Sequence, residues 1–350
     1  MRSLAVWTTT AAVALLGGVA NAQTTSAPAS ESGDINAALT AYAAYQNDVT
    51  DLRAARLESS TQLETALDTV ARHNRSSLTR GWIAYGAQTA AQSPAFVQGV
   101  RDAAAYYGRD AVVWAVTVDP GYARGLRGGS EVTRMLLNSA AADSARIVGV
   151  ADRYQELAYS LQRQRWANAV APQQAARVQR IRGLGAAGQP FAPIPADVTP
   201  RLHVATLSLS PQTDPTAFGG ARFWDAVRGS GDVVAVSAPS AQWRINLTRG
   251  EAIDRMASVA ALQALDAVND HQSAVGTLLN DPRSRDCFEM AQLQLYQCMS
   301  AARFRYENAF CLGQHGLRDV GLCIGAVAQP DTSAMSPVSG TVTTTTGRGR

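Results

Sequence analysis

The stretch that decides the fold is Cys287-FEMAQLQLYQ-Cys298-MSAARFRYENAF-Cys311-LGQHGLRDVGL-Cys323. Every cysteine of the chain falls in it. The segment from Cys287 to Cys298 holds neither glycine nor proline and predicts a helix. Eleven helical residues put its two cysteines on one face but about 16 Å apart. A disulfide needs Cα atoms within about 7 Å, so these two cannot bond to each other. Two sets remain: Cys287–Cys323 with Cys298–Cys311, or the crossed alternative. A fold-back near residues 305–308 gives the nested set a common midpoint, and a short helix–helix connection favours it. Gly313 and Gly316 offer a competing turn that would disturb this register. Each bridge is expected to stabilise the fold by about 2–4 kcal/mol.

The same stretch raises two chemical alternatives. Cys311 and His315 have a spacing that a metal site could use, but structural zinc sites favour close pairs such as C-x2-C, and none occurs. Thiol redox chemistry would want C-x-x-C, also missing. His315 and Asp319 are four residues apart, which brings them together on a helical face as a candidate polar pair. A capping or packing role is the plainer reading of it.

The run CFEMAQLQLYQC followed by YENAFCLGQHGLRDVGLC is similar to the C-terminal region of a family of uncharacterised secreted alphaproteobacterial proteins. That resemblance covers about 40 residues and carries no functional residue with it. It implies export and a helical end stapled by cysteines.

Working outward, heptad-spaced Ile35, Tyr42 and Val49, with Tyr45 and Leu52, predict a helix from Asp34. Thr61-Gln-Leu-Glu64 has capping-box form for a second helix. Residues 78–126 read as short helices between breakers, with Ser93-Pro94 and Asp119-Pro120 as starts. Val112–Val118 is read as a buried helix rather than a strand. Ser130 is expected to open a long helix reaching Trp166, and Thr248-Arg-Gly-Glu251 and Asp281-Pro282 to open two more. Residues 183–201 are rich in glycine, alanine and proline and read as a strap; HVATLSL and DVVAVS alternate only weakly.

The fold class expected is all-α: a helical domain plus a disulfide-stapled C-terminal helical hairpin, with an irregular proline-rich middle. Its boundaries are a signal peptide at 1–22, a disordered lead at 23–33, a helical domain at 34–182, the strap and irregular segment at 183–247, the cysteine-bearing helical region at 248–328, and a disordered tail at 329–350.

The compartment is read from the first residues. Arg2, an apolar run and Ala20-Asn21-Ala22 have the layout of a secretory signal peptide. Four cysteines in an exported chain fit two disulfides. The expected location is periplasmic or secreted, with no transmembrane segment in the mature chain.

Composition narrows the chemistry. Hydrophobic residues make up 46% of the chain and charged residues 17%, which suits a packed core rather than disorder. All 31 basic residues are arginine. Without lysine there is no P-loop, no Schiff-base chemistry and no serine–lysine dyad. The net charge of +3 is small and the arginines are scattered, so nucleic acid is not an expected partner. Gly183-Leu-Gly185-Ala-Ala-Gly188 matches G-x-G-x-x-G as a string, yet a polar helical segment precedes it and prolines follow, which is the wrong context for a dinucleotide. The histidines His73, His203, His271 and His315 form no local pair. Trp82, Tyr85 and Trp114, with Tyr106 and Tyr107, are candidates to line a ligand groove, although aromatics in short packed helices are usually core anchors.

No catalytic residue and no cofactor or metal is assigned. The expectation is a non-enzymatic binding or structural protein of the cell envelope, with an envelope protein or glycan as partner. The alternative is an envelope hydrolase acting on peptidoglycan or glycan, its site assembled from distant carboxylates and His203 or His315.

Overall fold

Asp34 caps the first described helix: its carboxylate accepts from the Asn36 and Ala37 amides at 3.0 Å each. That helix, α1 (Ile35–Ala54), buries the heptad stripe Tyr42, Tyr45, Val49 and Leu52. A computed structural model describes residues 34–187, 219–228 and 242–330. The expected signal peptide and lead, the proline-rich part of the strap, both weakly alternating stretches, His203 and residues 331–350 lie outside the described residues.

Helix α2 (Ser60–Ala71) starts differently from its expected box. Ser59 accepts from the Gln62 amide at 3.3 Å, and the Gln62 side chain accepts from the Glu58 amide at 2.6 Å. Glu64 is drawn away by two arginines, Arg177 and Arg180. Helix α3 (Arg75–Ala90) packs on α1, and the crossing is close because of Gly81. A Cβ there would stand 2.6 Å from the Ala38 carbonyl oxygen.

The short helices follow as read: α4 (Pro94–Tyr107), α5 (Arg109–Val118) and α6 (Gly121–Gly125). Ser93 accepts from the Phe96 amide and Asp119 from the Gly121 amide. The β-branched run is helical, with Val112, Val113 and Val116 buried. Helix α7 (Gly129–Leu161) is 33 residues long, about 50 Å, and buries Ile147, Val150, Tyr154 and Leu161. It opens one residue before Ser130 and stops five before Trp166.

The described residues of the segment read as irregular include regular structure. Helix α8 (Gln174–Ala186) carries Gly183 and Gly185 within regular helix, not in a phosphate loop. Helix α9 (Gly220–Arg228) buries Phe223, Trp224 and Val227. The Asp143 carboxylate of α7 receives it, accepting from the Gly220 amide at 2.6 Å and the Trp224 indole at 2.7 Å, while the Tyr42 hydroxyl donates to the same carboxylate at 2.7 Å. Strand β1 (Trp243–Ile245) pairs antiparallel with β2 (Ala328–Pro330), Arg244 opposite Gln329. Gln329 and Pro330, assigned to the tail, therefore belong to this ribbon.

Helix α10 (Glu251–Ala264) is buried along most of its length and packs on α3, α4, α5, α6 and α7. Its expected box does not form. The Thr248 hydroxyl donates to the Asn246 side chain at 2.8 Å, and Glu251 pairs with Arg255 one turn on. After α11 (Gln272–Leu279), Asp281 caps α12 (Pro282–Ala301) by accepting from the Ser284 amide at 2.9 Å. The remainder is α13 (Arg305–Cys311), a π-helical turn (Leu312–Arg318) and α14 (Asp319–Gly325).

Both disulfides are nested, Cys287–Cys323 and Cys298–Cys311, with Cα separations of 5.8 and 5.6 Å. The fold-back is at residues 302–304, slightly earlier than residues 305–308, which form the first turn of α13. Glu307 makes this bend by accepting the Arg303 and Phe304 amides. The bend also bonds to the chain after α7: Ala171 donates to the Arg303 carbonyl at 2.9 Å and Tyr306 to the Ala167 carbonyl at 3.1 Å. Gly313 and Gly316 make no turn; a Cβ on Gly313 would stand 2.9 Å from the Tyr154 Cβ, so that glycine lets the π turn lie against α7. Apart from the two-stranded ribbon and one isolated bridge, the described residues are all-α. The two helical regions share one hydrophobic core from Ile35 to Val327.

Candidate functional site

The cysteine hairpin builds a groove of about 560 Å³ beside the Cys287–Cys323 disulfide. One wall is the face of α12 that carries Cys287. Residues three or four positions from one another on a helix share a face, so Arg283, Met290, Ala291 and Gln294 follow Cys287 into the groove, with Asp286 beside them. The opposite wall is α14, which contributes Asp319, Leu322 and Cys323, and Arg249 closes one end from the loop before α10. Met290 and Leu322 are each 53% exposed, giving the groove two apolar lips.

The polar groups are held by the backbone around them. Arg249 donates through Nη1 to the Arg283 carbonyl at 2.9 Å, and Arg283 donates to the Thr248 carbonyl. The Arg249 Nε and Nη2 atoms are shielded from bulk solvent and make no hydrogen bond among the described residues. Burial pulls the Arg249 pKa down from its usual value; Asp281 opposes that shift, Arg283 adds to it and Asp286 opposes it. An anionic ligand group in the groove beside Arg249 would offset its desolvated charge.

Across the groove, His315 and Asp319 meet as their spacing implies. His315 Nδ1 lies 2.8 Å from Asp319 Oδ2, and Gln314 donates to Asp319 Oδ1 at 3.3 Å. Gln155 of α7 donates to Gln314 at 2.6 Å, and Arg318 pairs with Asp152 of α7. The π turn makes this web by widening the helix just where His315, Gln314 and Arg318 stand. Such widenings are rare and recur at functional sites. Asp319 lines the groove, whereas His315 stands behind it.

A smaller, largely apolar groove of about 290 Å³ adjoins the other disulfide, between Tyr159 of α7 and Tyr306 and Phe310 of α13. With Cys311 bonded to Cys298, the Cys311–His315 spacing offers no thiolate to a metal. Among the described residues no three His, Cys, Asp or Glu side chains come together as a metal site.

The aromatic groove is corrected. Trp82 and Tyr85 are 1% and 2% exposed, and Tyr85 packs on Tyr42 and Trp224 in the core. Trp114 is 66% exposed on α5, and Tyr106 and Tyr107 end α4 at the surface. The three groove candidates do not share a cleft, because the 3.6-residue period turns Trp114 away from buried Val113 and Val116. His73 is fully buried with Nε2 2.6 Å from Asp48 Oδ2, and His271 precedes α11.

Sequence reasoning missed Arg249, Arg283 and Asp286. Arg249 lay inside the string read as a capping box. Arg283 and Asp286 had a usable signal, their helical phase relative to Cys287.

Comparison with protein-family models, with curated proteins and with solved structures finds no match for this chain.

Proposed function

We propose that the chain is an exported, non-enzymatic binding protein of the cell envelope, and that it takes a peptide segment bearing a carboxylate in the groove beside Cys287–Cys323. One observation carries this reading: Arg249 lines the groove, and its buried Nε and Nη2 atoms have no hydrogen-bond partner among the described residues. Arg249 and Arg283 suit a carboxylate, Gln294 suits a peptide bond, and Met290 and Leu322 suit an apolar side chain. The lining holds two carboxylates, Asp286 and Asp319, but no hydroxyl, free thiol or amine. Two disulfides suit an oxidising compartment, and no helix among the described residues is long and apolar enough to cross a membrane. Export itself rests on the N-terminal sequence and on the resemblance of the cysteine stretch.

The test is fluorescence anisotropy of the mature protein with labelled envelope peptides ending in a free carboxylate, beside their amidated forms. Binding of the carboxylate forms is expected, with a loss of about tenfold or more in Arg249→Ala and unchanged circular dichroism. Equal affinity in Arg249→Ala, or no preference for the carboxylate, overturns the reading.

The envelope hydrolase is the second reading, and the oriented His315–Asp319 pair favours it. It requires release of soluble fragments from purified peptidoglycan and loss of that release in His315→Ala. Binding without turnover, unaffected by His315→Ala, rejects it.

A further inference from the structure

Arg75 opens α3 on the side of the molecule formed with α1 and α12. It is 2% exposed, and its Nε, Nη1 and Nη2 atoms all lack a hydrogen-bond partner. Two unfavourable effects meet at this one side chain. An unpaired buried charge is among the costliest groups a core can hold. A cation at the first residue of a helix opposes the helix dipole.

The nearby carboxylate does not resolve this. Asp48 takes Arg72 through both oxygens and His73 through Oδ2. His73 is fully buried against Asp48 and, as a histidine, carries no negative charge to offset Arg75. The groups that face Arg75 electrostatically are the phenols of Tyr45 and Tyr296. Tyr45 is 1% exposed, and its hydroxyl is also buried without a partner. The place therefore presents N–H and O–H donors and a net positive charge.

We propose that Arg75 and Tyr45 hold a buried monovalent anion of halide size, the guanidinium and the phenol both donating to it. The enclosure of both side chains sets the size, and the buried guanidinium charge without a carboxylate partner sets the sign. Water would meet some of the hydrogen bonds but leave the charge uncompensated. This site is separate from the groove, and neither inference depends on the other.

The experiment is thermal unfolding of the mature protein at constant ionic strength with sodium gluconate replaced stepwise by sodium chloride, together with bromide anomalous diffraction from crystals. Chloride is expected to raise Tm saturably by about 2–4 °C. A bromide peak is expected in contact with the Arg75 guanidinium. In Arg75→Met, a near-isosteric neutral variant, the chloride dependence is expected to vanish. Equal Tm in the two salts, or a guanidinium met by water or by a carboxylate of the chain, overturns the proposal. Should Arg75→Met fail to fold, the bromide map of the wild-type protein decides alone.

Discussion

His73 and His315 each lie against an aspartate, at 2.6 and 2.8 Å, yet they are placed for different ends. His315 keeps 22% of its side chain in solvent, whereas His73 keeps almost none. Burial pulls the His73 pKa below its usual 6.5 even though Asp48 opposes the shift, and the charges of Arg72 and Arg75 reinforce it. The sign follows from linkage. With the folded pKa depressed, the native state binds fewer protons than the unfolded chain, so the contribution is present above pH 6.5 and lost as pH falls below it. Urea unfolding between pH 7.5 and 5.5 is expected to show a steeper loss of stability in the wild type than in His73→Gln. The variant itself should be destabilised by about 1–3 kcal/mol at pH 7.5. Parallel slopes would remove His73 from the acid response. The His315–Asp319 pair was legible in the sequence because four residues span one helical turn. The Asp48–His73 pair was not, since its partners are 25 residues apart with all of α2 between them.

At the scale of elements, α12 is fixed to the chain that follows it by bonds enclosing loops of different length. The inner disulfide spans 13 residues and the outer one 36. On the chain-entropy account, removing Cys298–Cys311 is expected to cost about 3 kcal/mol and removing Cys287–Cys323 about 4 kcal/mol. Paired Cys→Ala variants in equilibrium urea denaturation measure the order, and non-reducing peptide mapping checks the pairing. A larger cost for the inner bridge would contradict the entropic basis. Helix α9 is held by side-chain bonding instead, with the Asp143 carboxylate accepting from Tyr42, Gly220 and Trp224. Asp143→Ala leaves those donors and Arg146 uncompensated, and a loss of about 3–5 kcal/mol is expected by the same denaturation. A loss under about 1 kcal/mol would show that α9 does not depend on Asp143. Nothing local announced α9, because its apolar face is short and its anchor lies 77 residues upstream.

Across the whole molecule, the N-terminal and cysteine-bearing regions do not form separate cores. Helix α10 lies against α3, α4, α5 and α6, and α12 against α3 and α8. A single urea transition is therefore expected, with tryptophan fluorescence and far-ultraviolet circular dichroism superimposing. Two resolved transitions would contradict the shared core. The sequence by itself determined the helical class and most helix starts, excluded a Cys287–Cys298 bridge and favoured the nested disulfides over the crossed set, because caps, apolar period and helix rise act over a few residues. It also placed Asp34, Ser93 and Asp281 at helix N-termini, where a side chain meets an amide two or three positions on. The capping boxes at Thr61 and Thr248 misled because tertiary partners claimed Glu64 and because Asn246 was the nearer acceptor for Thr248. Only the tertiary structure decided that Trp82 and Tyr85 are core while Trp114 is surface, and that Arg249 and Asp319 line one groove. It also decided that Arg75 is buried without a partner. Those facts depend on which helices cross, and crossing is set by long-range packing such as Gly81 against Ala38 and Gly313 against Tyr154, which no local pattern encodes.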